Sequence, residues 1–290
     1  MRIVLATDGS PASRAAGVLL GQLPAAVGSE IHVVTVLGPF DQRFYAERPA
    51  LERVWEVRET YSTQVLALSS DDVNGENRSI TTEVRTGESA REILASAQEF
   101  SADLLVIGSR GISGIEEFFL GSVARNVAHH TKIPVLIVHS GGKVPKRVLV
   151  AFDGSSHARD AVALLQTLSL GDDCEFQVTS VYRPYMPVVV GGVGDPSLID
   201  ALGEIHAEER NEIKAQLSAA TESLRSAGLK TSGELRSGDP ATQLIEAINE
   251  FGADLVVLGS KGVSGVEGLL VGSVADRILS KVRCSILLVP

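Results

Sequence analysis

The chain repeats itself, and that limits what it can fold into more than any other feature. Residues 2–10 read RIVLATDGS and residues 147–155 read RVLVAFDGS, an offset of 145. Further on, ADLLVIGSRGISGIE (102–116) answers ADLVVLGSKGVSGVE (253–267), and Gly121-Ser122-Val123-Ala124 answers Gly272-Ser273-Val274-Ala275, now at an offset of 151. Between 101–138 and 252–289, 16 of 38 positions are identical. Similar blocks in the same order mean a duplicated domain rather than chance similarity. The expected domains are 1–140 and 146–290, each long enough to bury its own core. The segment Ser140-Gly141-Gly142-Lys143-Val144-Pro145 between them is polar and glycine-rich, and it reads as a linker. The offset grows by six, so the second copy carries an insertion. It is expected in the loop Pro184–Ser197, where Gly191-Gly192-Val193-Gly194 has no counterpart.

Within one copy, short apolar runs alternate with segments of helical period. Ile3–Thr7 reads as a strand that ends in Asp8-Gly9-Ser10-Pro11, with Ser10 capping a helix and Pro11 in its first turn. Ile31–Leu37 is a second strand, 38–48 a loop and 49–69 a long helix. Ser79–Arg85 alternates apolar and polar residues, as a more exposed strand does. Gly87 opens a turn into the helix Ser89–Phe100. Asp103–Gly108 is a wholly apolar fourth strand after its first residue, followed by a glycine loop, a helix from about Ser122 to His130 and the strand Pro134–Val138. This alternation predicts an α/β fold with a parallel sheet covered on both faces. Only 4% of the residues are aromatic, so the core must be Val, Leu, Ile and Ala, the mix that parallel strands use.

Ligands of such sheets bind beyond the carboxyl ends of the strands, where the strand order reverses. Two features of each copy lie at strand ends: Asp8 with the 108–122 loop, and Asp153 with the 259–273 loop. Glycines at Gly108, Gly111, Gly259 and Gly262 allow backbone to approach an anion closely. Gly121-Ser122 and Gly272-Ser273 open helices, whose N–H groups and positive dipole end favour phosphate. Asp8 and Asp153 can accept hydrogen bonds from ribose hydroxyls or an adenine amine. Together these make a nucleotide pocket. Other phosphate and hydrolase signatures are absent: there is no G-x-x-x-x-G-K-[ST], no G-x-G-x-x-G after a strand and no G-x-S-x-G.

The spacing G-2x-G-9x-G-S, with Asp in a strand-end DGS, resembles the universal stress protein family in its ATP-binding branch, and it covers the chain twice. The resemblance implies two tandem Rossmann-like domains of the adenine nucleotide alpha hydrolase-like kind. Each would have a five-stranded parallel sheet of order 3-2-1-4-5 with helices on both faces. It implies ATP, or AMP or ADP, with adenine and ribose near Thr7-Asp8 and Asp153. A backbone contact would come from the second strand at Val36 and Val181. Phosphates would lie over Gly108, Gly111, Gly121, Ser122 and Val123, and over Gly259, Gly262, Gly272, Ser273 and Val274. Mg2+ or Mn2+ would accompany the triphosphate. Arg110 and Lys261 share one loop position, as phosphate contacts or as solvated cations. The copies also depart from each other. Gly87-Glu88-Ser89 stands where the second has the more usual Gly238-Asp239-Pro240, and Thr7 stands where the second has the bulky Phe152.

Other residues have plainer readings. Glu83/Arg85 and Glu234/Arg236 read as solvent-facing ion pairs, His129-His130 as a favourable helix end, and Glu116-Glu117 as solvated loop acids. Cys174 and Cys284 read as two buried thiols. The net charge of −10 with no basic block argues against nucleic acid. No apolar run approaches the ~20 residues of a membrane span, and a cytoplasmic protein is expected. No nucleophile, base and orienting group converge. The leading expectation is therefore a nucleotide-binding regulatory protein rather than an enzyme. A slow ATPase or autophosphorylating enzyme and a scaffold that binds no nucleotide are the alternatives. The fifth strands are apolar throughout and cannot lie naked at a sheet edge. They are expected to pair with each other within the chain, and the same resemblance implies a homodimer of whole chains.

Overall fold

The computed structural model describes residues 1–38, 49–75, 77–111, 120–139, 141, 143–171, 173–183, 196–262 and 271–290. The first copy runs β1 (Arg2–Ala6), α1 (Pro11–Gln22), β2 (Glu30–Leu37), α2 (Pro49–Val73), β3 (Ser79–Thr86), α3 (Ser89–Glu99), β4 (Leu104–Gly108), α4 (Ser122–His130) and β5 (Val135–Val138). The second runs β6 (Arg147–Ala151), α5 (Ser156–Thr167), β7 (Glu175–Tyr182), α6 (Pro196–Ser226), β8 (Lys230–Ser237), α7 (Pro240–Phe251), β9 (Leu255–Gly259), α8 (Ser273–Lys281) and β10 (Ser285–Val289). The chain is α/β, as expected; among the described residues β1–β5 and β6–β9 pair in parallel, whereas β10 pairs antiparallel with β5.

The first compact unit comprises Met1–Pro145, Leu168–Gly171 and Leu279–Pro290. Its strands lie in the order β3-β2-β1-β4-β5, and β10 runs antiparallel beside β5, with Leu287 opposite Leu136. The central strand β1 has Ile3, Val4 and Leu5 fully buried, because both faces are covered. That is why its sequence is a continuous apolar run. At the far end of the order, β3 alternates between exposed and half-buried residues. The second unit comprises Lys146–Thr167 and Asp172–Ile278, with β6 between β7 and β9 and β8 beyond β7. The six extra residues of the second copy lie between β7 and β8, since those strands keep the offsets of 145 and 151 from β2 and β3. The α6 helix there has 31 residues against 25 in α2. Residues 184–195 of the expected insertion loop are outside the described residues, as are Glu116 and Glu117.

Local chemistry accounts for the element boundaries. Ser10 caps α1 by accepting from the Ser13 N–H, with Pro11 at the first helical position. Glu88 and Asp239 both act as caps, accepting from Ala90 and Arg91 in α3 and from Thr242 in α7. The Gly-Glu-Ser and Gly-Asp-Pro turns are therefore two solutions to one capping problem. Hydrogen bonds from Thr242, with Arg277 beside them, hold the Asp239 carboxyl at about 2. Asp239→Ala is expected to lower stability by about 1 kcal/mol. In the parent chain this stabilisation is present above the ordinary value of 3.8 and fades as pH falls through about 2; urea melts of both chains over that range check it. Asp103 and Asp254 anchor the first strands: Asp103 accepts from the Arg2 N–H at 2.7 Å, and Asp254 from the Arg147 N–H at 3.0 Å.

Two expectations are corrected. The Glu83/Arg85 pair is not solvent-facing: α3 lies over it, and the Arg85 side chain is only 13% exposed. Arg85 bonds Glu83 and Glu99, which raise its pKa further, and His32 bridges Thr81 at 2.8 Å and Glu83 at 3.1 Å. The second unit repeats the arrangement with Arg236, Glu234 and Glu250, and Gln177 in the place of His32. Alternation along β3 was the right signal for a strand and the wrong one for exposure, because a helix covers the polar face. The second correction is Cys284, which is half-buried rather than buried; Cys174 is buried, and neither forms a disulfide.

Candidate functional site

The chain leaves β1 in opposite lateral directions, to β2 and β3 on one side and to β4 and β5 on the other. Asp8 and the glycine loop after β4 therefore meet at the point where the order reverses. Asp8 is held there by its own turn: its Oδ1 accepts from the Ser10 N–H at 3.0 Å, and Gly9 takes φ of 78°, which side chains disfavour. Asp153 does the same with Ser155 at 3.0 Å and Gly154 at φ 77°.

The loop glycines have distinct duties. A Cβ on Gly111 would lie 2.6 Å from Asp8 Oδ2, and one on Gly262 would lie 2.6 Å from Asp153 Oδ2. The strand-end carboxylate thus rests directly over the loop backbone. A Cβ on Gly108 would meet the Ser13 nitrogen at 2.5 Å, and one on Gly259 would meet the His157 carbonyl carbon at 2.8 Å. Gly108 and Gly259 consequently let a strand pass the start of a helix. Gly121 and Gly272 close the loop: their N–H groups donate to Ser109 O at 2.8 Å and Ser260 O at 2.7 Å. Gly121 caps α4 with no side-chain bond. The N–H groups of Ser122 and Val123, and of Ser273 and Val274, lie in the first helical turn and have no partner within their helices.

Sequence reasoning missed the clip that fastens these elements. Ser10 Oγ donates to Arg110 O at 3.0 Å, and Ser155 Oγ to Lys261 O at 3.2 Å. Each serine caps one helix and ties the glycine loop to it, so the DGS triplet shapes both walls. The only sequence signal was the serine that follows each Asp-Gly.

In the second unit these elements line a cavity of about 890 Å3. It is lined by Asp153, Val181 and Gly259, by Lys261, Gly262, Gly272, Ser273 and Val274, and by Glu209, Glu212 and Gln216 of α6. All second-copy candidates are thus brought together. In the first unit Asp8, Gly108, Arg110, Gly111 and Gly121 converge in the same way, and Val36 lies at the carboxyl end of β2. Thr7 is buried, and its hydroxyl joins a cluster with Ser13 at 3.3 Å and Ser69 at 3.0 Å. The second unit replaces all three by Phe152, Ala158 and Ala220, a concerted swap of hydroxyls for apolar bulk. The first turns also differ, with Arg125 in α4 and Asp276 in α8. One further group stands out. His139, just beyond β5, has a buried Nε2 with no hydrogen-bond partner among the described residues, and burial aided by the Arg110 charge pushes its pKa down to about 4.

The cavity volume lies in the range of small-molecule sites. A carboxylate over the loop backbone, beside a helix N-terminus with backbone donors, suits a ligand with a sugar or base and phosphates. Fold and site together define a tandem α/β protein with a strand-end Asp over a glycine loop in each repeat, and a cavity at that loop in the second. The sequence profile of the universal stress protein family matches residues 1–139 and again 145–290, so the chain belongs to that family. A universal stress protein of Methanocaldococcus jannaschii is 27% identical over 153 residues, 53% of this chain and 86% of that protein. One from Mycolicibacterium smegmatis is 27% identical over 224 residues, 75% of this chain and 72% of its own. The crystal structure of a universal stress protein from Archaeoglobus fulgidus superposes with a TM-score of 0.67 at 20% identity, covering 99% of this chain and 97% of that one. No helix among the described residues is long and apolar enough to cross a membrane.

Proposed function

We propose that each repeat, 1–140 and 146–290, is a domain that binds an adenine nucleotide, and that the chain acts as a stress-response regulator by binding rather than by catalysis. The observation that carries this is the carboxylate of Asp8 or Asp153 laid over Gly111 or Gly262 beside a helix start. Asp8 and Asp153 would take ribose or adenine, with Val36 and Val181 supplying backbone contact. The first-turn N–H groups at Ser122-Val123 and Ser273-Val274 would take phosphates, with Arg110 and Lys261 adding charge. ATP, ADP and AMP share these contacts. Mg2+ or Mn2+ would ride on the phosphates; among the described residues no three His, Cys, Asp or Glu side chains converge on an ion. The setting is the cytoplasm. Pairing of the two domains through their fifth strands, and a homodimer of whole chains, belong to the same proposal.

Titration calorimetry of the whole chain with ATP is the test. Saturable heat is expected, reduced by Gly121→Val or by Gly272→Val and lost in the double variant. No heat, together with no nucleotide released when the purified protein is denatured and examined by mass spectrometry, overturns the reading and favours a scaffold. A thermal shift on adding nucleotide must accompany true binding by mass action. Turnover of labelled ATP that disappears in Asp8→Ala/Asp153→Ala would instead favour the enzyme.

A further inference from the structure

The two repeats pack their first and second helices differently, and the difference opens a second cleft. In the first repeat, Gly17 and Gly21 of α1 let α2 come close. A Cβ on Gly17 would lie 3.3 Å from Asp72 Cβ, and one on Gly21 would lie 2.2 Å from Asp72 O. Across this tight seam Arg14 pairs with Asp72 at 3.6 Å. The equivalent positions in the second repeat are Val162 and Gln166 for the glycines, Arg159 for Arg14 and Ser223 for Asp72. Both glycine positions thus carry larger side chains in the second repeat. A cleft of about 330 Å3 lies between α5 and α6, walled by Phe152, Val162 and Ala220, with Arg159, Gln166 and Ser223 at its rim. Gln166 Nε2 spans the rim to Ser223 Oγ at 2.6 Å. Arg159 donates to Gly154 O, and among the described residues it forms no ion pair.

We propose that this α5–α6 cleft binds a small apolar carboxylate, its chain against Phe152, Val162 and Ala220 and its carboxylate on Arg159, where the first repeat uses Asp72. The volume is at the lower end of ligand cavities, which fits a short acyl chain or one aromatic ring. The first repeat acts as an internal control: it keeps the cation, supplies its own carboxylate and closes the seam. Phe152 and Gln216 also line the larger cavity, so an acid in the cleft presses on the wall of that cavity. The cleft itself does not depend on what the larger cavity holds.

The test is calorimetry of the full chain with octanoate and with 4-phenylbutyrate, and with octan-1-ol as the uncharged control. At least one acid is expected to bind one per chain, and the alcohol at least about tenfold more weakly, since a charge-assisted bond to Arg159 is lost. Ser223→Asp restores the first repeat's carboxylate and is expected to weaken the acid about tenfold or more while the chain stays folded. Arg159→Gln, at an exposed position, is expected to do the same without adding a carboxylate. The proposal is overturned if neither acid saturates, if the alcohol binds as tightly, or if both variants bind like the parent.

Discussion

Gly259→Ala is expected to destabilise the second repeat by about 3 kcal/mol, near the upper end of what overpacking costs. The added Cβ would lie 2.7 Å from His157 Cβ, 2.8 Å from its carbonyl carbon and 2.9 Å from the Ala158 nitrogen. Backbone must move there, and the start of α5 moves with it. Gly262→Ala, three residues along the same loop, is expected to have the opposite profile. Among the described residues its Cβ would meet only the Asp153 carboxylate, at 2.6 Å, and a side-chain end can swing aside. The fold should therefore survive within about 1 kcal/mol, a small surface-type effect. Asp153, however, would no longer lie over the loop, and nucleotide affinity in the second repeat should fall by about a hundredfold, the scale of one lost charge-assisted contact plus misplaced neighbours. Thermal melts and calorimetry on the two variants separate these roles. Equal melting temperatures would refute the division of labour between the glycines.

Acid is expected to loosen the first repeat well above the usual carboxylate range. His139 has its pKa pushed down from 6.5 to about 4, first by burial and then by the Arg110 charge. The folded chain therefore holds this imidazole neutral while the unfolded chain protonates it below pH 6.5. Its stabilisation is fully present above pH 6.5 and is lost as pH falls through about 4. The loss should amount to about 2 kcal/mol, since the residue is only partly shielded from water. His139→Gln removes the titration, so its urea midpoints should vary less between pH 6.5 and 4 than those of the parent chain. Identical slopes for the two chains would show that other groups carry the acid sensitivity.

Much of the fold was legible because its signals are local. The apolar run Ile3–Ala6, the cap at Ser10 and the helix start at Ser122 each depend on a few adjacent residues, and the structure places them within a residue or so of expectation. The glycine spacing likewise marked where the loops lie. What each glycine does was not legible. Gly108 and Gly111 look alike in sequence, but one faces the backbone of α1 and the other a carboxylate. The clip from Ser10 to Arg110 joins residues 100 apart, and no local pattern could announce it. Strand three shows the same limit. Its alternation gave the strand, while α3 decided that Arg85 lies covered between Glu83 and Glu99.

The sequence by itself determined that there are two copies of one α/β domain, with an Asp-Gly-Ser turn and a glycine loop in each, because strand and helix periods, turn residues and duplication are written in neighbouring positions. Tertiary structure alone decided that Asp8 lies over Gly111, that Thr7 turns into a hydroxyl cluster, and that a cleft lies between α5 and α6 where Gly17 and Gly21 bring α1 and α2 together. Those outcomes depend on which surfaces meet across long stretches of chain, and close packing turns a difference of a few side-chain atoms there into a closed seam or an open cleft.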